Sequence, residues 1–130
     1  MLVVVYENIR LSFLGVYMLE DLLLYKIYVE LMYYSYNLVI KYPKSEKLGI
    51  VSDIKNNLYL GLNNIIYYHK SNKKIYLDYL DNNLKVLLVL IRISYKMKYI
   101  SNKNYLAFSK KINNINKLIK GLIRYENNKK

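Results

Sequence analysis

From Leu77 onward the apolar residues return at alternating steps of three and four, through Leu80, Leu84, Leu87 and Ile91 to Ser94 or Tyr95. That spacing keeps one stripe on one side of an α-helix and is the pattern of a helix-packing seam. A second stripe, Tyr105, Phe108, Ile112, Ile115, Ile119 and Leu122, follows Ser101, whose hydroxyl can cap a helix start by accepting from a free first-turn amide. Long helices leave little room for a sandwich or barrel. The turn vocabulary agrees, with four glycines and a single proline, Pro43, in 130 residues.

Two further helices precede these. Leu24, Ile27, Leu31, Tyr34 and Leu38 recur at helical spacing within 18–41. Pro43 stops that helix, because proline disfavours α geometry in the residue before it and has no amide hydrogen to donate. Ser45 is the expected cap of the next helix, with Leu48, Val51, Leu58, Leu62 and Ile65 as its stripe. The polar run from His69 to Lys73 reads as a tight connection in which Ser71 or Asn72 caps the third helix. Four helices of about 20–25 residues, each about 30–37 Å long, joined by short links, predict an all-α, up-down-up-down antiparallel four-helix bundle. With 54% hydrophobic residues spread along 130, one core is expected. No repeat of fixed period points to a solenoid.

The bundle is expected over 18–126, with an N-terminal extension at 1–17 and a basic tail at 127–130. The extension holds an apolar run broken by Glu7 and Arg10, shorter and more charged than the about 20 apolar residues of a membrane span. It lacks a basic leader and a small-residue cleavage site, so export is disfavoured and a cytoplasmic protein is expected. Met18 is an alternative translation start, and an N-terminal anchor the alternative role for the extension.

Charge divides the chain. Before Lys44 there are three basic and four acidic side chains; from Lys44 on there are 18 Lys or Arg against five Asp or Glu. The excess on the second part is what attracts phosphate backbones or acidic surfaces. The last helix carries Lys103, Lys110, Lys111, Lys117, Lys120 and Arg124 outside its apolar stripe and no acid among them, so these are expected to face outward. A solvated surface that only confers solubility is the plainer reading, although such surfaces usually mix signs. An anionic membrane ranks third, because the bulky apolar residues it needs are used in the core stripe.

No catalytic constellation is visible. The chain has no cysteine, which removes thiolate nucleophiles, disulfides and cysteine-based metal sites. Its one histidine, His69, falls in the expected loop, and a bundle metal site would need inward Glu-x-x-His pairs that are absent. Asp78 and Asp81 form a small acidic pair best explained by salt bridges to Lys74 or Lys85. There is no glycine-rich phosphate loop. No cofactor, metal or small-molecule substrate is expected, and none of the residues reads as catalytic. Tyrosine is unusually abundant, at 17. Interleaved Tyr and Lys can stack bases and neutralise phosphates, but core or oligomer packing is the stronger reading for most of them. In the pairs Tyr33–Tyr34 and Tyr67–Tyr68 only one member can face the core, since neighbours on a helix point about 100° apart.

The segment Tyr42-Pro43-Lys44-Ser45-Glu46-Lys47, the helix-three run 84–93, the Ile100–Tyr105 opening of helix four and its ending at 115–123 carry a resemblance over roughly 20–125. The chain resembles the accessory variability determinant (Avd) proteins of diversity-generating retroelements, four-helix bundles related to the S23-type proteins of ribosomal-RNA intervening sequences. Asn116 and Leu122 stand where the accessory proteins usually have Gly and Trp. The resemblance implies a homopentamer that binds the retroelement reverse transcriptase and its template RNA, and DNA as well, in support of mutagenic complementary-DNA synthesis. Five copies at +12 each would carry about +60. Lys44, Lys47, Arg92 and Lys117 match the family's basic positions and are the expected contacts; Lys110, Lys111, Lys120 and Arg124 join them on the outward-charge argument. The alternatives are an S23-type RNA-linked bundle and a structural module that binds an acidic protein.

Overall fold

The computed structural model describes residues 22–128, and they form four helices. Helix α1 covers 22–39, α2 Ile50–Ser71, α3 Ile75–Lys96 and α4 Asn102–Asn128. A short 3-10 turn, Lys44–Glu46, sits between α1 and α2. The contacts step down one helix as they step up the next. Tyr28 meets Leu58 and Tyr36 meets Lys55; Asn64 meets Asn83 and Tyr67 meets Tyr76; Tyr95 meets Tyr105 and Lys74 meets Asn127; Tyr34 of α1 meets Asn104 and Phe108 of α4. Each sequential pair is therefore antiparallel, α1 closes against α4, and the architecture is the expected all-α four-helix bundle. The extension at 1–17 and Met18 lie outside the described residues.

The seams of α3 and α4 are those read from spacing, except that Tyr105 at the start of α4 is only half-buried. Leu77, Leu80, Leu84, Leu87, Ile91 and Ser94 are buried from α3, and Phe108, Ile112, Ile115, Ile119 and Leu122 from α4. The other two are displaced. In α1 the buried line is Leu24, Tyr28, Leu31, Ser35 and Leu38, and the expected Ile27 and Tyr34 flank it half-buried. In α2 it is Val51, Ile54, Leu58, Gly61, Ile65 and Tyr68. At one crossing the cause is steric. The Tyr28 ring crosses α2 at Gly61, where a Cβ would lie 2.7 Å from Tyr28 Cζ and collide with its hydroxyl. Glycine thus admits the ring, and the Tyr28 hydroxyl donates to the Leu58 carbonyl at 2.7 Å. The two buried serines are satisfied within their own helices, Ser35 donating to Leu31 O at 2.7 Å and Ser94 to Leu90 O at 2.9 Å.

The expected cap assignments divide. Ser101 does cap α4, its Oγ accepting from the Asn104 amide at 3.1 Å. Ser45 does not cap α2, because the 3-10 turn intervenes and α2 starts only after Gly49, without a side-chain cap. Leu48 consequently lies in the turn and is 92% exposed, not part of the α2 stripe. His69 is in α2, not in a loop, because that helix continues through Ser71 and ends on Asn72 in the left-handed conformation (φ 57°). Asparagine tolerates that conformation better than other side chains. Ser71 and Asn72 therefore finish α2; α3 begins after Lys74 with no side-chain cap. Helix α3 closes in a Schellman motif, with Tyr99 N donating to Ser94 O at 2.9 Å and Lys98 N to Tyr95 O at 3.0 Å. Lys98 holds the left-handed position at φ 66°. Helix α4 runs through Asn128, two residues into the stretch read as tail.

Candidate nucleic-acid interface

Short connections bring the ends of the helices together in two groups. The α1–α2 turn and the α3–α4 turn lie at one end and are tied there, since the Tyr99 hydroxyl donates to Glu46 Oε2 at 2.9 Å and the Tyr42 and Tyr99 rings pack at 5.3 Å. This hydrogen bond is the first cause of a Tyr99 hydroxyl held above its ordinary pKa, followed by burial. Residues 39–56 and 92–111, which build this end, hold ten Lys or Arg and only two acids, Glu46 and Asp53. Glu46, the acid that stands between Lys44 and Lys47, is engaged by the Tyr99 hydroxyl. Burial pushes the Tyr42 hydroxyl up, partly offset by Ser94.

The sequence candidates fall into three places. Lys44 and Lys47 come together with Lys55 around a cleft of about 280 Å³ lined by Val39, Ile40, Tyr42, Pro43 and Val51. Lys55 also lies over the Tyr36 ring at 5.0 Å. Arg92 is exposed near the end of α3, on the same end of the bundle. The α4 candidates form a line of their own: Lys103, Lys110, Lys117 and Arg124 are all exposed and spaced by seven residues. Seven residues rise about 10.5 Å and return to within about 20° of the same direction, so the four cations make one gently winding row about 31 Å long. Lys120, exposed, stands beside that row one turn from Lys117. Lys111 departs from the outward expectation. It is half-buried, with its ammonium 5.2 Å from the centroid of the Tyr34 ring, because α1 leans on α4 there.

Sequence reasoning does not single out Lys55, which the fold brings to the cleft. The available signal is its place one helical turn after Val51, but the partner wall comes from α1 and cannot be read from α2 alone. It also undervalues the tyrosines as surface. Tyr28, Tyr42 and Tyr68 are buried, whereas Tyr25, Tyr33, Tyr36, Tyr59, Tyr67, Tyr79, Tyr95 and Tyr125 are exposed. The paired positions split as geometry requires, Tyr34 and Tyr68 inward and Tyr33 and Tyr67 outward. A second groove, about 430 Å³ and apolar, runs along α1 between Tyr25, Val29, Met32, Tyr33, Tyr36 and Leu62. Asp81 pairs with Lys85 at 2.9 Å, one of the two bridges considered for the acidic pair. Among the described residues there is no group of His, Cys, Asp and Glu arranged to hold a metal ion, and no helix is long and apolar enough to cross a membrane.

Fold and surface together define a small basic four-helix bundle with cations collected on α4 and at the α1–α2 turn. The chain belongs to the bAvd-like family, whose model matches residues 22–126. That match spans all four described helices and agrees with the resemblance carried by the Tyr42–Lys47 signature. No curated protein is a significant match to the chain.

Proposed function

We propose that the chain is a non-catalytic accessory subunit of a diversity-generating retroelement, working in the cytoplasm as a homopentamer that holds the reverse transcriptase and its template RNA. Membership of the bAvd-like family carries this reading. The surface supports it: the α4 row spreads four cations over about 31 Å, a span suited to a run of phosphates. Lys44, Lys47, Arg92, Lys110, Lys111, Lys117, Lys120 and Arg124 are the proposed contacts, and binding would follow charge and not base sequence. In this role the protein positions polymers and needs no cofactor of its own.

The reading is tested by reconstituting complementary-DNA synthesis with a diversity-generating retroelement reverse transcriptase and its template RNA, with and without the chain. Synthesis that depends on the chain, in a complex containing all three components, is the expected result. A reverse transcriptase that neither binds the chain nor changes its output when the chain is withheld refutes it.

A further inference from the structure

The cleft at the α1–α2 turn has a chemistry that the α4 row lacks. Its buried side comprises Val39, Tyr42 and Val51, its exposed walls are Ile40 and Pro43, and its charged rim is Lys44, Lys47 and Lys55. No acid lines it, and the nearby Glu46 is held by the Tyr99 hydroxyl at 2.9 Å. An apolar recess beside three ammonium groups suits a ligand that is flat and apolar at one end and anionic at the other. At about 280 Å³ it lies at the small end of ligand sites, which run from about 300 Å³ upward, so it accommodates one base-sized group. Paired bases are stacked inside a helix and cannot enter such a recess, whereas an unpaired base can turn out of the strand.

We propose that this cleft takes one unpaired nucleotide of a single strand, the base packing between Ile40, Pro43, Val51 and the Tyr42 ring while the adjoining phosphates meet Lys44, Lys47 and Lys55. The inference rests on the nucleic-acid reading above and adds a base-holding point to it. It gives the protein a preference for single strands over duplexes of equal charge, with little choice among bases, because apolar and aromatic surfaces accept any base face.

The test compares a uridine pentanucleotide with an abasic pentamer of the same phosphate number, by fluorescence anisotropy on the full chain at low salt. Base-bearing strand should bind at least about fivefold more tightly, the low end of what packing one base on such a surface provides. Ile40→Ser removes an exposed wall, at 77% exposure, and should bring the ratio close to one. Leu48→Ser, in the same turn but outside the cleft, should keep the wild-type ratio. Equal binding of both strands by the wild type overturns the cleft assignment and leaves the nucleic-acid reading standing. A ratio that survives Ile40→Ser also overturns it, by placing the base elsewhere. If neither strand binds, the nucleic-acid reading fails and the inference falls with it.

Discussion

Replacing Gly61 with alanine tests the packing that sets α1 against α2. In an open helix position this change stabilises, because alanine is favoured over glycine by about 1 kcal/mol. At Gly61 the new methyl group would sit 2.7 Å from Tyr28 Cζ and overlap its hydroxyl. Tyr28 is fully buried and has no room to retreat without leaving the Leu58 carbonyl. Overpacking costs about 1–3 kcal/mol and the lost hydrogen bond about 1 kcal/mol, so after the alanine preference is subtracted the net loss is about 1–3 kcal/mol. Gly121 supplies the control, since a Cβ there meets nothing within 4 Å and Gly121→Ala should stabilise by about 0.5–1 kcal/mol. Urea unfolding followed by circular dichroism, at one fixed protein concentration because assembly would couple to stability, measures both. Tyr28→Phe in the Gly61→Ala background should show favourable coupling, as the hydroxyl is part of the clash. If Gly61→Ala stabilises as Gly121→Ala does, the Tyr28–Gly61 crossing is wrong.

Three further expectations concern the ends of helices and the buried phenol. Lys98 occupies a left-handed position at φ 66°, so Lys98→Gly should raise stability by about 0.5–1 kcal/mol in the same unfolding assay; a loss would contradict the Schellman geometry. Ser101→Ala should lower stability by about 1 kcal/mol through loss of the α4 cap, whereas Ser45→Ala should leave the urea midpoint unchanged within error. Burial first, then the neighbouring Tyr36, raises the Tyr28 hydroxyl above its ordinary 10.0. A proton held more tightly in the folded state stabilises it below pH 10 and loses that contribution as pH rises beyond. The stability gap between wild type and Tyr28→Phe should accordingly be equal at pH 7 and 9 and smaller at pH 11; an unchanged gap at pH 11 contradicts the assignment.

How legible each helix was in the sequence follows from what fills its seam. In α3 and α4 the seam is almost wholly aliphatic, so the three–four spacing leads to the buried residues directly. In α1 and α2 two seam positions, Ser35 and Gly61, are invisible to a hydrophobic pattern, and Tyr33, Tyr34 and Tyr36 offer apolar surface on several sides of α1. Spacing then settles on Ile27 and Tyr34, one position away from Tyr28 and Ser35. Ser45 has the right chemistry for a cap, but capping also needs a helix to start at once, and a 3-10 turn following Pro43 is not signalled by any residue type. The cationic row of α4 was legible because all its members share one helix. The cleft was not, because Val39 and Tyr42 precede the proline, Val51 lies in the first turn of α2 and Lys55 in the second, and only the folded turn makes them neighbours.

The claim that the α4 row and the α1–α2 turn form a polyanion-binding surface on an assembled accessory subunit is tested most directly by light scattering. The protein would be measured alone and with a short RNA, at low and moderate salt, beside a Lys103→Gln, Lys110→Gln, Lys117→Gln variant, three exposed members of the row. The account predicts a pentamer that takes up RNA at low salt and releases it as salt rises, and a variant that stays folded and assembled but binds RNA more weakly. A monomer indifferent to RNA at low salt, or a variant with undiminished affinity, would contradict it.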